Sequence, residues 1–123
     1  MKSQADFITV FNRLKAILQQ AQGSAIVTMD DAVNYSLNTP YSNKYKKELF
    51  LGAVQIKKNY VSYYLMPVYM YPDLLEGISP QLSRRMQGKS CFNFTVIDEA
   101  LFQELEVLTR RSIARAKQEG DLH

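Results

Sequence analysis

Phe7, Val10, Phe11, Leu14, Ile17, Leu18 and Ala21 recur at the i, i+3, i+4, i+7 spacing of one helical face. The spacing predicts an amphipathic helix that Ser3 caps, with Asp6 near the position of a capping-box acid, and that Gly23 ends. Beyond it the period shortens to two. β-like runs fall at 25–29 and 33–37, either side of Asp30-Asp31, and the polar stretch 38–47 reads as a loop. Runs over 48–56 and 60–66 are rich in β-branched and aromatic residues. Lys57-Lys58-Asn59 joins them as a hairpin, with Asn59 suited to the left-handed conformation of a tight turn. Pro67 and Pro72 lack an amide hydrogen, which limits further strand pairing, and 72–77 can close one helical turn. Ser79 as N-cap, Pro80 at the first helical position and Gly88 as the stop predict a short helix. Cys91 to Val96 alternates as a strand. Asp98 opens a last helix whose buried side is Leu101, Phe102, Leu105, Leu108 and Ile113, with acids at its start and Arg110, Arg111, Arg115 and Lys117 towards its end, as the helix dipole favours.

Strands joined by short turns pair antiparallel. The predicted fold is therefore α+β: a single, mostly antiparallel sheet of about five strands packed by N- and C-terminal helices, with short helices before the last strand. In the strand over 60–66, Val61, Tyr63 and Leu65 point one way and Tyr60, Ser62, Tyr64 and Met66 the other. In the strand before it, Leu49, Leu51 and Ala53 oppose Phe50, Val54 and Ile56. A sheet apolar on both faces needs a helix layer, a subunit or a ligand on the second. The stretch NYVSYYLMPVYMYP at 59–72 holds five of the eight tyrosines, a residue suited to a boundary where one end packs and the other reaches water. Core and rim packing, a self-association surface and a ligand cleft all remain open on this pattern.

The 123 residues fit one domain, 1–123, and the net charge of +3 falls far short of a dedicated DNA-binding surface. No apolar stretch approaches the length of a membrane span, and the first residues lack the apolar core of a signal peptide. One cysteine cannot form an internal disulfide, which suits a reducing cytosol, so a cytoplasmic domain is expected. The letters GKS at 88–90 match the end of a phosphate-binding loop, but Ser83 stands where its first glycine belongs and a strand follows where a helix must begin. Gly88 therefore reads as a helix stop.

The only histidine is His123, the last residue, so neither a His-based catalyst nor a Cys–His pair is expected. Lys89 could lower the thiol pKa of Cys91, against the commoner structural role of a strand cysteine. Asp6, Asp30, Asp31 and Glu48 are the acids of the first half and have no Cys or His at metal-ligand spacing, so no metal or other cofactor is expected. Arg84, Arg85 and Lys89 are close enough in sequence to converge on an anion.

YVSYYLMPVYMYPDLLEGISPQLSRRMQGKSCFNF, at 60–94, with LFQELEVLTR after it, resembles the YdhG-like bacterial domains, also catalogued as domain of unknown function 1801. The resemblance covers most of the chain and is strongest over 48–111. It implies a compact α+β domain with an antiparallel sheet flanked by terminal helices, and no catalytic motif. Some relatives carry the label of an intracellular iron chaperone by analogy with frataxin, which implies an acidic ridge along the first helix and strand. Here the first helix offers Asp6, followed by Arg13 and Lys15.

The expected function is a non-enzymatic binding or interaction module. Tyr64, Tyr69, Tyr71, Arg85, Lys89 and Cys91 are its candidate ligand residues, and the expected partner is a second copy or a small-molecule or anionic ligand. Iron or metal delivery is the alternative. Strand aromatics beside basic residues can stack bases, but no RNA-binding signature is present, so a nucleic-acid partner is not expected.

Overall fold

The computed structural model describes residues 4–42 and 44–122, with side chains from Asp6 onward. The expected Ser3 cap and the terminal His123 lie outside the described residues. Helix α1 spans Gln4–Ala21, and its apolar stripe is buried as the spacing predicts. Strands β1 (Ile26–Asp30), β2 (Asn34–Asn38), β3 (Phe50–Ile56) and β4 (Val61–Leu65) follow. Next come helix α2 (Met66–Met70), a 3-10 turn (Pro72–Leu75), helix α3 (Pro80–Ser83), strands β5 (Met86–Gln87) and β6 (Cys91–Phe94), and helix α4 (Glu99–Gln118). The strands form one antiparallel sheet in the order β1-β2-β3-β4-β6-β5, confirming the α+β class with a sixth strand added.

Strand pairing ends at Leu65, before Pro67, as expected, and Pro67 sits in the first turn of α2, where its missing amide hydrogen costs nothing. Two local expectations are corrected. Gly88 is not a helix stop, because α3 ends at Ser83 and the chain enters β5 through a turn at Arg84 and Arg85. Gly88, at φ +79°, instead opens the turn that pairs β5 with β6, a conformation glycine adopts without a Cβ clash. A two-residue strand is too short to leave a period in the sequence. Asn59 is not left-handed either, since Lys46 is the only non-glycine with positive φ among the described residues. The β3–β4 connection closes with the Lys57 amide donating to the Tyr60 carbonyl at 2.8 Å, and none of its residues is left-handed.

Pairing register sorts the side chains. Tyr35 and Leu37, Gly52 and Val54, Val61, Tyr63 and Leu65, and Phe92 and Phe94 share the face under α1 and α4. Phe94 meets Phe102 of α4 edge-on at 5.0 Å. Tyr63 is fully buried, and its hydroxyl lies 2.7 Å from Thr109 Oγ1, which itself donates to the Leu105 carbonyl at 2.8 Å. Arg13 clasps Glu99 through two bonds of 2.8 and 2.9 Å, tying α1 to the start of α4. The opposite face carries Asn34, Ser36, Gln55, Ser62, Cys91, Asn93 and Gln87, with Ala53 and Tyr64 as its apolar members.

The expected second apolar face is therefore absent. A register shift between Leu37 and Asn38 breaks the alternation of β3: Leu51 becomes buried, while Phe50 stays partly exposed and meets Tyr64 edge-on. Gly52 lets α1 approach the sheet, for a Cβ there would lie 2.8 Å from the Tyr64 carbonyl oxygen and 3.4 Å from Leu18 Cδ1. Gly52→Ala is expected to cost about 2 kcal/mol through this overpacking, read as a fall in the urea unfolding midpoint.

Candidate functional site

Tyr64 and Cys91 are cross-strand partners at the centre of the open face. Around them runs a hydrogen-bonded network. Ser62 Oγ donates to Asn93 Oδ1 at 2.7 Å, Cys91 Sγ donates to the same oxygen at 3.3 Å, and Asn93 Nδ2 donates to Gln87 Oε1 at 2.7 Å. Burial pushes the Cys91 thiol above its ordinary pKa, and only bonds to Ser62 and Tyr64 and the charge of Lys57 oppose that shift. The thiol is thus protonated at neutral pH and a poor nucleophile. Lys89 does not activate it; its ammonium instead lies over the Tyr69 ring, 5.9 Å from the centroid, on the exposed side of α2.

Tyr71 serves a different purpose. Its hydroxyl donates to Asp121 Oδ2, and the Arg115 guanidinium lies 4.9 Å over its ring. Arg115 also holds Asp73 and Glu119 at 2.8 and 2.9 Å, and Lys44 reaches Asp121 Oδ1 at 3.6 Å. Asp121 and Leu122 are buried, so this cluster pins the end of the described chain beneath α2 and the 3-10 turn. Sequence spacing could not reveal the contact, since Tyr71 and Asp121 are 50 residues apart.

Arg84 and Arg85 occupy a third place. They line a cleft of about 330 Å³ with Gln81, Phe94, Thr95, Val96, Asp98 and Leu101. The candidate residues therefore divide into the Tyr64–Cys91 face, the Tyr69–Lys89 pair at its rim, the Tyr71 anchor and the Arg84–Arg85 cleft. Lys89 and Arg85 do not share one anion site. Gln81 and Thr95 were not singled out from sequence, and Asp98 only as the start of a helix, because only the α3–β5 turn brings them beside the arginines.

Asp30 and Asp31 are engaged in local contacts. Asp30 takes the Lys15 ammonium at 2.6 Å, and Asp31 Oδ1 accepts from the Val33 amide at 2.9 Å. Among the described residues no three His, Cys, Asp or Glu side chains gather as a metal cluster, and no helix is long and apolar enough to cross a membrane.

Two outcomes follow from these environments. Burial raises the hydroxyl pKa of Tyr63 and Tyr71 above the ordinary value of about 10, and the bond to Asp121 raises that of Tyr71 further. The folded chain keeps protons that the unfolded chain releases, so the associated stability is whole below pH ~10 and is lost as pH rises towards the folded-state values. Urea midpoints should fall above that pH, and less steeply in Tyr71→Phe. Cys91 should react with iodoacetamide at neutral pH more slowly than the same cysteine in the urea-unfolded chain. No protein-family model, curated protein or solved structure matches this chain.

Proposed function

We propose that the chain is a non-catalytic interaction module that pairs with a second copy of itself along β1 and leaves the Tyr64 face free for a ligand. The exposure of β1 carries this reading. All five of its residues are exposed, among them Ile26 at 39%, Val27 at 39% and Met29 at 44%, and Val33 in the adjoining turn is exposed at 45%. Val27 and Asp30 stand opposite Leu37 and Tyr35 on the helix side, yet Val27 is not covered. Ile26 and Met29 stand opposite Asn38 and Ser36 on the other side. Both sides of an apolar edge strand are thus open, the arrangement that favours pairing with another strand. The opposite edge, β5, is two residues long and offers no comparable ladder.

A second copy suits this edge by its charges. Antiparallel pairing about a two-fold axis at Thr28 sets Val27 against the partner's Met29 and Asp30 against the partner's Ile26. The single charge in each strand then meets no like charge, and Lys15 already neutralises it. The bulge between Val27 and Met29 shortens the ladder, so a weak, reversible dimer is expected.

The non-catalytic part of the reading rests on side chains already occupied. The Cys91 thiol is held protonated, and Asp73, Glu99, Glu104 and Asp121 are engaged by Arg115, Arg13, Ser79 and Tyr71.

Light scattering over a concentration series tests the dimer. The mass should rise from the 14.2 kDa of one chain towards twice that value. Val27→Lys and Met29→Lys should each remain at one chain mass, and Tyr64→Ala should associate as the parent does. A parent chain that stays monomeric throughout overturns the reading. Dissociation by Tyr64→Ala with Val27→Lys still dimeric would move the interface from the edge to the face.

A further inference from the structure

We infer that the cleft at the far end of the sheet from β1, between α3, the β6–α4 connection and the start of α4, binds a small phosphomonoester whose body carries a hydroxyl or amino group. Arg84 and Arg85 are the anion-binding residues and Asp98 is the acceptor for that group.

Arg13, Arg110 and Arg115 each hold a carboxylate at 2.8 Å. Arg84 and Arg85 are exposed and have no hydrogen bond or ion pair to another described side chain, although Asp98 lines the same cleft. One oxygen of Asp98 caps α4, Oδ1 accepting from the Leu101 amide at 3.2 Å, which leaves Oδ2 for the ligand. Two neighbouring arginines that line one concave surface and hold no carboxylate in an ion pair suit a doubly charged tetrahedral oxyanion, which takes paired N–H donors from each.

The walls define the rest of the ligand. A volume of about 330 Å³ is at the small end for ligand sites, which run from roughly 300 to 1,000 Å³. Phe94, Val96 and Leu101 supply apolar surface, and Gln81 and Thr95 supply hydrogen-bonding groups. At Gln81, Asp98 and Leu101 the cleft adjoins a second hollow, whose further lining is Ser79, Ala100 and Glu104. Charge therefore runs from two arginines at one end to Asp98 and Glu104 at the other. A ligand that is anionic at one end and donates hydrogen bonds, or carries an ammonium, at the other matches that gradient; a bare dianion does not use it.

Side-chain NMR on the full chain reads the site directly, with inorganic phosphate and phosphoethanolamine as probes and chloride at equal ionic strength as reference. Inorganic phosphate should produce saturable shifts of the Arg84 and Arg85 Nε–H signals. Arg84→Gln or Arg85→Gln should weaken binding roughly tenfold or more, whereas Arg111→Gln, an exposed helical arginine without an ion pair, should not change it. Phosphoethanolamine should bind several-fold tighter than phosphate. Asp98→Asn, which retains an N-cap side chain, should abolish that preference while leaving phosphate affinity unchanged or higher. Non-saturating shifts, or equal losses from Arg84→Gln and Arg111→Gln, would overturn the site; an unchanged preference in Asp98→Asn would overturn its polarity. The monomeric Val27→Lys should bind phosphate as the parent does, so failure of the dimer and failure of this site are separable.

Discussion

One hydroxyl at the centre of the core constrains much of what surrounds it. Tyr63 stands on a middle strand, fully buried, and its phenol meets Thr109 of α4 at 2.7 Å. Thr109 spends its own proton on the Leu105 carbonyl, so Tyr63 must be the donor of the pair. A buried phenol without a partner costs about 1–3 kcal/mol. The bond therefore penalises any rotation or slide of α4 that moves Thr109 away. With α4 placed, Phe102 meets Phe94 and Glu99 lies within reach of Arg13, which brings α1 over Gly52.

This packing is one-sided, and the surface chemistry follows from it. Both long helices serve the same face, leaving the other to hydroxyls and amides that bond one another around Tyr64 and Cys91. A face that satisfies its own polar groups does not demand a covering layer. Ile26, Val27 and Met29 are exposed side by side on β1, an edge strand that the helices do not cover. The tension between polar and apolar surface thus sits at an edge rather than a face, and an edge is where a strand from another chain can pair.

Charges divide in a similar way. Several cations serve the architecture: Arg13 joins the helix pair, Lys15 holds Asp30, and Arg115 holds the anchor that includes Tyr71 and Asp121. The pair at 84–85 forms no ion pair; the turn after α3 presents it to a cleft whose lining acid, Asp98, caps a helix. The candidate sites are therefore found by following which groups the fold leaves unspent.

Local chemistry alone determined the elements whose signals are periodic or terminal. The stripe from Phe7 to Ala21, the Ser79 and Asp98 caps, the facing of Val61, Tyr63 and Leu65, and the antiparallel α+β class all rest on neighbours a few residues apart. Tertiary structure decided what depends on register and distant partners. The shift at Leu37 and Asn38 reversed the sides of Leu51 and Phe50, and pairing with β6 turned Gly88 from a presumed helix stop into a hairpin residue. Tyr71 could be assigned to an anchor only once the chain 50 residues on had folded back against it. Periodicity reports which side chains must be buried; which group meets which is set by long-range pairing, and so the candidate sites were legible in residue type but not in arrangement.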